Sequence, residues 1–193
     1  MSNIVIEHLS KSFGDKNVLK ELSETLPIGK TTVIMGESGC GKTTLINIMM
    51  GLEKADSGKI SGIPERISAV FQEDCLCEDF SATSNIRAVT GKKLSRKEIS
   101  ESLKKLGLKN EDLSCPVRDL SGGMKRRVAI ARAILADSEL IIMDEPFKGL
   151  DEETRKNVVD FVLQETKGRS LLIITHSPEE VDLLKADKLI QMS

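Results

Sequence analysis

Short apolar runs alternate along the chain with longer amphipathic stretches. Thr31–Met35, Leu140–Met143 and Ser170–Thr175 are rich in aliphatic and β-branched residues and are bounded by turn-forming or charged positions, which is typical of buried strands. Helical patterns follow two of these runs, at Lys42–Gly51 and Asp151–Thr166. Short strands that alternate with helices predict an α/β fold with a mainly parallel sheet, covered on both faces.

The two ends of this pattern are less regular. Ile4–Leu9 predicts a first strand, Lys11–Val18 a turn containing glycine, and Ile67–Phe71 another strand. The closing segment Asp187–Met192 predicts a last short strand after a short helix. These segments extend the sheet toward both ends of the sequence.

The middle of the chain has a different character. Residues 81–113 are polar and helix-forming, with little strand signal, and Ser95 and Glu98 have the spacing of a helix capping box. We therefore expect one domain spanning residues 1–193. Its α/β core would take about 1–80 and 130–193, and an inserted helical lobe about 81–130.

The composition is that of an ordinary globular protein, with 193 residues, 39% hydrophobic and 30% charged. The formal net charge of −2 argues against a dedicated nucleic-acid binder, so no nucleic-acid partner is expected. No apolar run approaches the roughly 18 residues that cross a bilayer, and the first residues lack the features of a signal peptide. We expect a cytosolic chain that reaches a membrane only through a partner, with reduced cysteines rather than a zinc site.

The segment GESGCGKT, Gly36 to Thr43, matches the phosphate-loop pattern G-x-x-x-x-G-K-[ST]. It lies between a predicted strand and a predicted helix, as this motif requires. Glycines allow successive N–H groups to surround a phosphate, and the helix N-terminus adds partial positive charge. Lys42 can then reach the β- and γ-phosphates, while the Thr43 hydroxyl can bind Mg²⁺. The residues expected to contact the nucleotide are Gly36, Glu37, Ser38, Gly39, Cys40, Gly41, Lys42, Thr43 and Thr44.

Two acidic residues follow the strand Leu140–Met143. Asp144 at the strand end can hold Mg²⁺ through its water shell, and Glu145 beside it can polarise an attacking water molecule. A general base of this kind contributes about 10²–10⁴ in rate. Pro146 follows, and it biases Glu145 away from the right-handed helical region, so the strand must end in a turn.

A second glycine turn, LSGGM, precedes another predicted helix. Ser121, Gly122 and Gly123 form a potential anion site, although the chain already has one phosphate loop. One nucleotide needs one such loop, so the second turn has no role in a single nucleotide site.

In order, the phosphate loop, LSGGM with KRRVAIARAI, LIIMDEP, GLD and the Thr175-His176 pair resemble the ATP-binding subunit of ABC transporters. The resemblance covers essentially the whole chain. It implies a P-loop NTPase core with a mainly parallel sheet, N-terminal antiparallel β strands and an inserted helical subdomain. It also implies an ATPase that uses ATP with Mg²⁺.

The resemblance assigns roles to single residues. Phe13 matches the aromatic residue that stacks on adenine, which is usually a tyrosine in the family. Gln72 matches the glutamine that reaches Mg²⁺, Glu145 the catalytic glutamate and His176 the histidine that contacts the γ-phosphate. Asp151 matches an aspartate at the dimer seam. Lys148 departs from the small residue often found at its position.

The resemblance also implies an assembly. Two subunits, identical or close paralogues, would bind two ATPs, each between one phosphate loop and the partner's Ser121-Gly122-Gly123 turn. Membrane-spanning permease subunits would dock near residues 73–86, on the cytoplasmic face, and an importer would also use a solute-binding protein. The DEPFKGLD segment, Asp144 to Asp151, resembles importers of the nitrate, sulfonate and taurine type more than exporters.

Two other readings stay open at this stage. A soluble ABC-type ATPase that acts in repair, on chromosomes or on ribosomes would share these motifs. Members of the first two kinds carry coiled-coil insertions for which this chain has no room, and ribosomal members usually carry two cassettes. A nucleotide kinase or GTPase would leave LSGGM and His176 without a role.

Overall fold

A computed structural model describes residues 3–192. The chain divides into two compact units. Unit 1 comprises Met1–Ile67, Glu139–Asp144 and Gly168–Ser193, and unit 2 comprises Ser68–Ser138 and Glu145–Lys167. In chain order the elements are β1 (Ile4–Phe13), β2 (Lys16–Leu26), β3 (Thr31–Gly36), α1 (Lys42–Met49), β4 (Ser57–Ser61), β5 (Ile67–Val70), α2 (Ala82–Thr90), α3 (Arg96–Lys105), α4 (Gly122–Leu135), β6 (Leu140–Asp144), α5 (Glu152–Glu165), β7 (Ser170–Thr175), α6 (Pro178–Leu184) and β8 (Lys188–Met192).

A parallel sheet organises unit 1, with four of its strands in the order β6–β7–β3–β8. Every residue of β6 and β7 is buried, as expected for central strands of a parallel sheet. The register pairs Met35 with Thr175 and Asp144 with Ile174. The carboxyl ends of β3, β6 and β7 therefore lie side by side, which is where ligands bind in sheets of this type. The parallel sheet predicted from the apolar runs is confirmed.

A second, antiparallel sheet has the order β2–β1–β4. Ile4 pairs with Leu26, and Val5 pairs with Ser61. The prediction of a turn over Lys11–Val18 is wrong in its extent, because only Gly14 and Asp15 separate β1 from β2. Strand β2 is mostly polar and exposed, so it has no apolar alternation of its own and is defined by its pairing with β1.

Helices dominate unit 2. The capping box at the start of α3 is confirmed, because Ser95 Oγ accepts the Glu98 N–H at 3.2 Å and Glu98 Oε2 accepts the Ser95 N–H at 2.8 Å. Both contacts satisfy backbone donors that the first helical turn leaves unpaired. The buried side chains of this unit come mainly from α2, α3, α4 and α5, and they include Ile86, Ile99, Leu103, Val128, Ile130, Val158 and Val162.

Within residues 3–192, no helix has the length and apolar character needed to cross a bilayer. The assignment of residues 1–193 to one domain, with a helical lobe at about 81–130, stays a prediction.

Candidate nucleotide site

The phosphate loop joins β3 to α1 in unit 1. Close contacts with neighbouring strands require glycine at two of its positions. Gly41 has φ +99°, and a Cβ there would lie 2.8 Å from both the Val18 carbonyl oxygen and Leu19 Cδ2. A Cβ at Gly36 would lie 2.2 Å from the Met192 carbonyl oxygen. Strands β2 and β8 therefore approach the loop so closely that only glycine fits at these two positions.

The first turn of α1 has no side-chain cap. Gly41 occupies the N-cap position, where no side chain can accept the N–H groups of the first turn, and that turn contains no acidic residue. The amides at the start of α1 thus keep their capacity to bind an anion.

The Lys42 ammonium lies inside the loop. Its residue is 7% exposed, and Nζ donates to the carbonyl oxygens of Gly36 and Glu37, both at 2.7 Å. Cys40 Sγ lies 3.6 Å from the same nitrogen. Among the residues that the structure describes, no carboxylate forms an ion pair with Lys42. A buried positive charge without a protein counter-ion is a site for an anionic ligand.

Asp144 at the end of β6 contacts the loop helix. Thr43 Oγ1 donates to Asp144 Oδ2 at 2.7 Å, across 101 positions of sequence. Asp144 is 2% exposed, while Thr43 is exposed. A hydroxyl and a carboxylate held together at this edge are oxygen ligands of the kind that Mg²⁺ prefers, so the residues present fit this ion.

His176 follows β7 at the same edge of the sheet. The hydroxyl of buried Thr175 donates to the buried Glu180 carboxylate and accepts the Ser177 N–H at 3.0 Å. These contacts fix the turn, and the His176 side chain is exposed beside it.

Phe13 ends β1 with half of its surface exposed, at 49%. The Lys11 ammonium lies 4.9 Å from the centre of the Phe13 ring, which is within the range of a cation–π contact. A hydrogen bond to Glu53 is the main reason why the pKa of Lys11 is raised, so Lys11 keeps its charge. An adenine would have to stack on the ring face that Lys11 leaves open.

Glu145 begins the second segment of unit 2. Its backbone is left-handed, with φ +48°, which confirms that Pro146 excludes the right-handed helical conformation. The Lys148 ammonium lies 3.2 Å from Glu145 Oε2, and the Glu145 side chain is 16% exposed. The unusual Lys148 thus contacts the carboxylate that the sequence singles out as a base.

Gln72 lies in an exposed stretch shortly after β5. Its carbonyl oxygen accepts a hydrogen bond from Arg126, a residue that the sequence analysis missed. A signal for Arg126 was present, because it shares one face of α4 with buried Ile130 and Ala133, at the i+4 and i+7 positions. An arginine in such an apolar stripe indicates a buried partner.

The second glycine turn begins α4 in unit 2. Ser121 is the N-cap, and its Oγ accepts the Met124 N–H at 3.3 Å. Neither Gly122 nor Gly123 has a positive φ, and no described atom lies within 4 Å of a Cβ built on Gly122. Asp151 caps α5 by accepting the Thr154 N–H at 2.9 Å, which is the main reason why the pKa of Asp151 is lowered.

Unit 1 alone brings together the phosphate loop, Lys42, Thr43 and Asp144, with His176 at the same sheet edge. A strand, a glycine loop and a helix around a buried lysine, with an acidic residue at the end of a neighbouring strand, define a nucleotide-binding protein of the phosphate-loop class.

The chain belongs to the ABC transporter family, since the model of the family described as ABC transporter matches residues 19–148. It is an ATPase of that family. The aliphatic sulfonates import ATP-binding protein SsuB 2 of Pseudomonas syringae pv. tomato is 34% identical over 184 residues, covering 94% of this chain and 78% of the relative. The taurine import ATP-binding protein TauB of Escherichia coli is 36% identical over 203 residues, covering 97% of this chain and 78% of the relative.

Solved structures agree with this assignment. The dimeric structure of the bacterial ABC transporter cassette MJ0796 matches with a TM-score of 0.84 and 26% identity, covering 98% of this chain and 94% of that one. A bacterial Atm1-family ABC exporter with ATP bound matches with a TM-score of 0.85 over 100% of this chain and 37% of that one. At 20% identity, the exporter supports the fold alone. The sequence-based fold prediction is confirmed, including the N-terminal antiparallel strands and the inserted helices.

Proposed function

We propose that two copies of this chain, or this chain and a close paralogue, bind two ATP molecules at a shared face and thereby drive solute transport through membrane-spanning permease subunits. The observation that carries this proposal is the buried Lys42 ammonium, which lies in a glycine loop beside the Thr43–Asp144 pair and has no carboxylate partner there.

Residues of unit 1 hold the triphosphate. The N–H groups from Gly39 to Thr44 surround the phosphates, and Lys42 exchanges its two carbonyl partners for phosphate oxygens. Thr43 and Asp144 would hold Mg²⁺, and the family resemblance assigns Gln72 to the same ion. The ion would supply positive charge to the transferred phosphoryl group. Phe13 stacks on the adenine through its exposed face.

Hydrolysis depends on Glu145 and His176. Glu145 accepts a proton from the attacking water as a general base, and the Lys148 contact must loosen for it to do so. His176 donates a hydrogen bond to the γ-phosphate and stabilises the charge that develops there. Each role needs the side chain within hydrogen-bond distance of its target.

The Ser121-Gly122-Gly123 turn binds the ATP that lies on the partner's phosphate loop, with Asp151 at the dimer seam. The exposed Ser121 and Gly122 and the unobstructed space around Gly122 support this role. ATP then forms part of the interface, so its binding favours the closed dimer and its hydrolysis favours separation.

The membrane partner docks near residues 73–86. Buried Asn85 fixes this loop, because its amide accepts the Cys77 N–H at 2.9 Å and donates to the carbonyl oxygen of Cys77 at 3.1 Å. Phe80 remains 50% exposed on the fixed loop, which supports a docking surface. The chain would then sit on the cytoplasmic face of the membrane.

The relatives suggest the solute class. One is named for aliphatic sulfonates and another for taurine, and both kinds of solute carry a sulfonate group. We extend this class to the present chain, together with import and the use of a solute-binding protein.

Replacing Glu145 with glutamine tests the proposal. We expect ATP turnover to fall by about 10²–10⁴ and an ATP-bound dimer to accumulate, because water activation is lost while binding is kept. Phosphate release and size-exclusion chromatography with light scattering measure the two effects, with and without EDTA. Glu152→Gln is the matched control, since Glu152 is exposed and pairs with Lys156 on α5. Wild-type turnover in Glu145→Gln would contradict the base assignment, and an ATP-bound monomer would contradict the dimer.

A further inference from the structure

Arg126 of α4 joins three segments of unit 2 through one buried guanidinium group. The residue is 5% exposed. Nη1 donates to the Phe71 carbonyl oxygen at 2.6 Å and lies 3.2 Å from Asp74 Oδ1. Nη2 donates to the carbonyl oxygens of Gln72 at 3.0 Å and Glu145 at 3.2 Å. The four N–H groups of the two terminal nitrogens thus have four acceptors, which only the planar fork of arginine supplies.

We propose that Arg126 is a positioning residue, which sets the main chain of Gln72 and Glu145 from the helix that begins at the Ser121 turn. The proposal rests on the roles given above to Gln72, Glu145 and Ser121. Arg126 does not touch substrate. It acts by holding the main-chain carbonyls of Gln72 and Glu145, so that a shift of α4 moves both site residues.

The strained backbone of Glu145 indicates what the hydrogen bond from Arg126 to its carbonyl oxygen does. A left-handed backbone at a residue other than glycine or asparagine is unfavourable and persists only where its surroundings enforce it. Glu145 has φ +48°, and its carbonyl oxygen accepts the Arg126 bond. The guanidinium therefore helps to retain the conformation that directs the Glu145 side chain.

Asp74 is secondary to this arrangement. Its carboxylate accepts one of the four contacts of the guanidinium, and the other three go to main-chain carbonyl oxygens. An asparagine at position 74 would keep an oxygen acceptor for Nη1 and leave the three carbonyl contacts in place. Neutralising Asp74 should accordingly leave the positions of Gln72 and Glu145 unchanged.

Arg132 provides a matched control on the same helix. Its guanidinium donates to the carbonyl oxygens of Cys75 at 2.7 Å and Asp74 at 3.1 Å. It therefore fixes the same loop as Arg126 but gives no bond to Gln72 or Glu145. Comparing variants of the two arginines therefore distinguishes the stability of the loop at residues 71–75 from the positioning of Gln72 and Glu145.

The test compares Arg126→Lys with Arg132→Lys in ATP hydrolysis by the full chain. We expect Arg126→Lys to lower kcat by about 10- to 100-fold, because small misplacements of reacting groups have effects of this size. The KM for ATP should stay within about twofold, because the phosphate loop is untouched. Arg132→Lys should keep kcat within about threefold, and Arg126→Lys should lower the rate by a smaller factor in the Glu145→Gln background than in the wild type, because only the effect through Gln72 remains there.

Arg126→Met with Asp74→Asn is the second variant in case Arg126→Lys does not fold, since removing both partners leaves no unpaired buried charge. It should show the same loss of kcat, while Asp74→Asn alone should not. A folded Arg126 variant with wild-type kcat, or parallel losses in Arg126→Lys and Arg132→Lys, overturns the inference. If Glu145→Gln itself turns over at the wild-type rate, the base assignment fails instead.

Discussion

The chain carries two glycine turns before helices, and the turns differ in what requires their glycines. In the phosphate loop, Gly36 and Gly41 have neighbours so close that a Cβ would collide with the backbone of β8 and β2. In the LSGGM turn, Gly122 has an ordinary φ and no described neighbour within 4 Å of a Cβ. The fold explains the glycines of the first turn but not Gly122 of the second. The described chain therefore imposes no steric requirement for glycine at position 122, and the proposed approach of a partner's ATP would be the reason for it.

The helices that follow the two turns, α1 and α4, also differ in how their N-termini are capped. Gly41 leaves the first turn of α1 without a side-chain cap, whereas Ser121 caps α4 with its own hydroxyl. The first amides of α1 thus have no side-chain acceptor and are available to an anion, whereas one amide of the α4 start is already satisfied by Ser121. This difference is expected if the first turn holds ATP alone and the second meets ATP only in a dimer.

Among substitutions in the two glycine turns, Gly41→Ala should have the largest effect on the isolated chain. The substituted residue would need φ +99° and would push against Val18 and Leu19, so we expect a strain of about 1–3 kcal/mol in the loop. ATP affinity should fall by about 10-fold or more, measured by calorimetry on the monomer. Gly51→Ala is the control, because Gly51 has φ +71° but no described atom near its Cβ position. Equal ATP affinities in the two variants would remove the steric basis of the comparison.

Ser121→Arg should prevent ATP-driven dimerisation without impairing the binding of ATP to the monomer. The arginine would fill the space that a partner's ATP needs, so the monomer should bind one ATP while ATP-driven dimers disappear. Light scattering in the Glu145→Gln background measures this loss. Ser95→Arg is the control, since Ser95 is also a helix N-cap whose loss costs about 0.5–2 kcal/mol. Dimers that persist in Ser121→Arg would argue against a role of the turn in the partner's site.

The smallest change in the isolated chain is expected for Gly122→Ala. Alanine fits the helical backbone there, so the free energy of unfolding should stay the same or rise by about 0.4–1 kcal/mol. If the turn contacts the partner's ATP as proposed, turnover should nevertheless fall, because the added methyl group would occupy space at that contact. Urea unfolding and phosphate release on the same sample test both effects. A stabilised variant with full turnover would leave Gly122 without a functional requirement.

The sequence predicts unit 1 well where single segments carry their own signal. Strand β3, helix α1 and strand β6 are recognisable from apolar runs and from the glycine motif. No local pattern predicts strands β2 and β4, because they are polar and depend on pairing with β1; the antiparallel strands followed only from the family resemblance. Their formation is a property of the sheet, not of either segment.

The candidate site shows the same limit. Motif spacing identified Lys42, Thr43 and Asp144, and the structure adds the bond between the last two across 101 positions. No local pattern indicates that Arg126 reaches the carbonyl oxygens of Gln72 and Glu145. Such contacts arise from the packing of distant segments, which a single sequence does not display.

The two carbonyl bonds of Lys42 have a consequence for the free energy of nucleotide binding. Because the ammonium already bridges Gly36 and Glu37, the loop keeps its shape before ATP arrives. The loop backbone then loses little conformational entropy when a nucleotide binds, and the two bonds that Lys42 gives up are replaced by bonds to phosphate oxygens. The loop is thus a preorganised receptor for the phosphate groups.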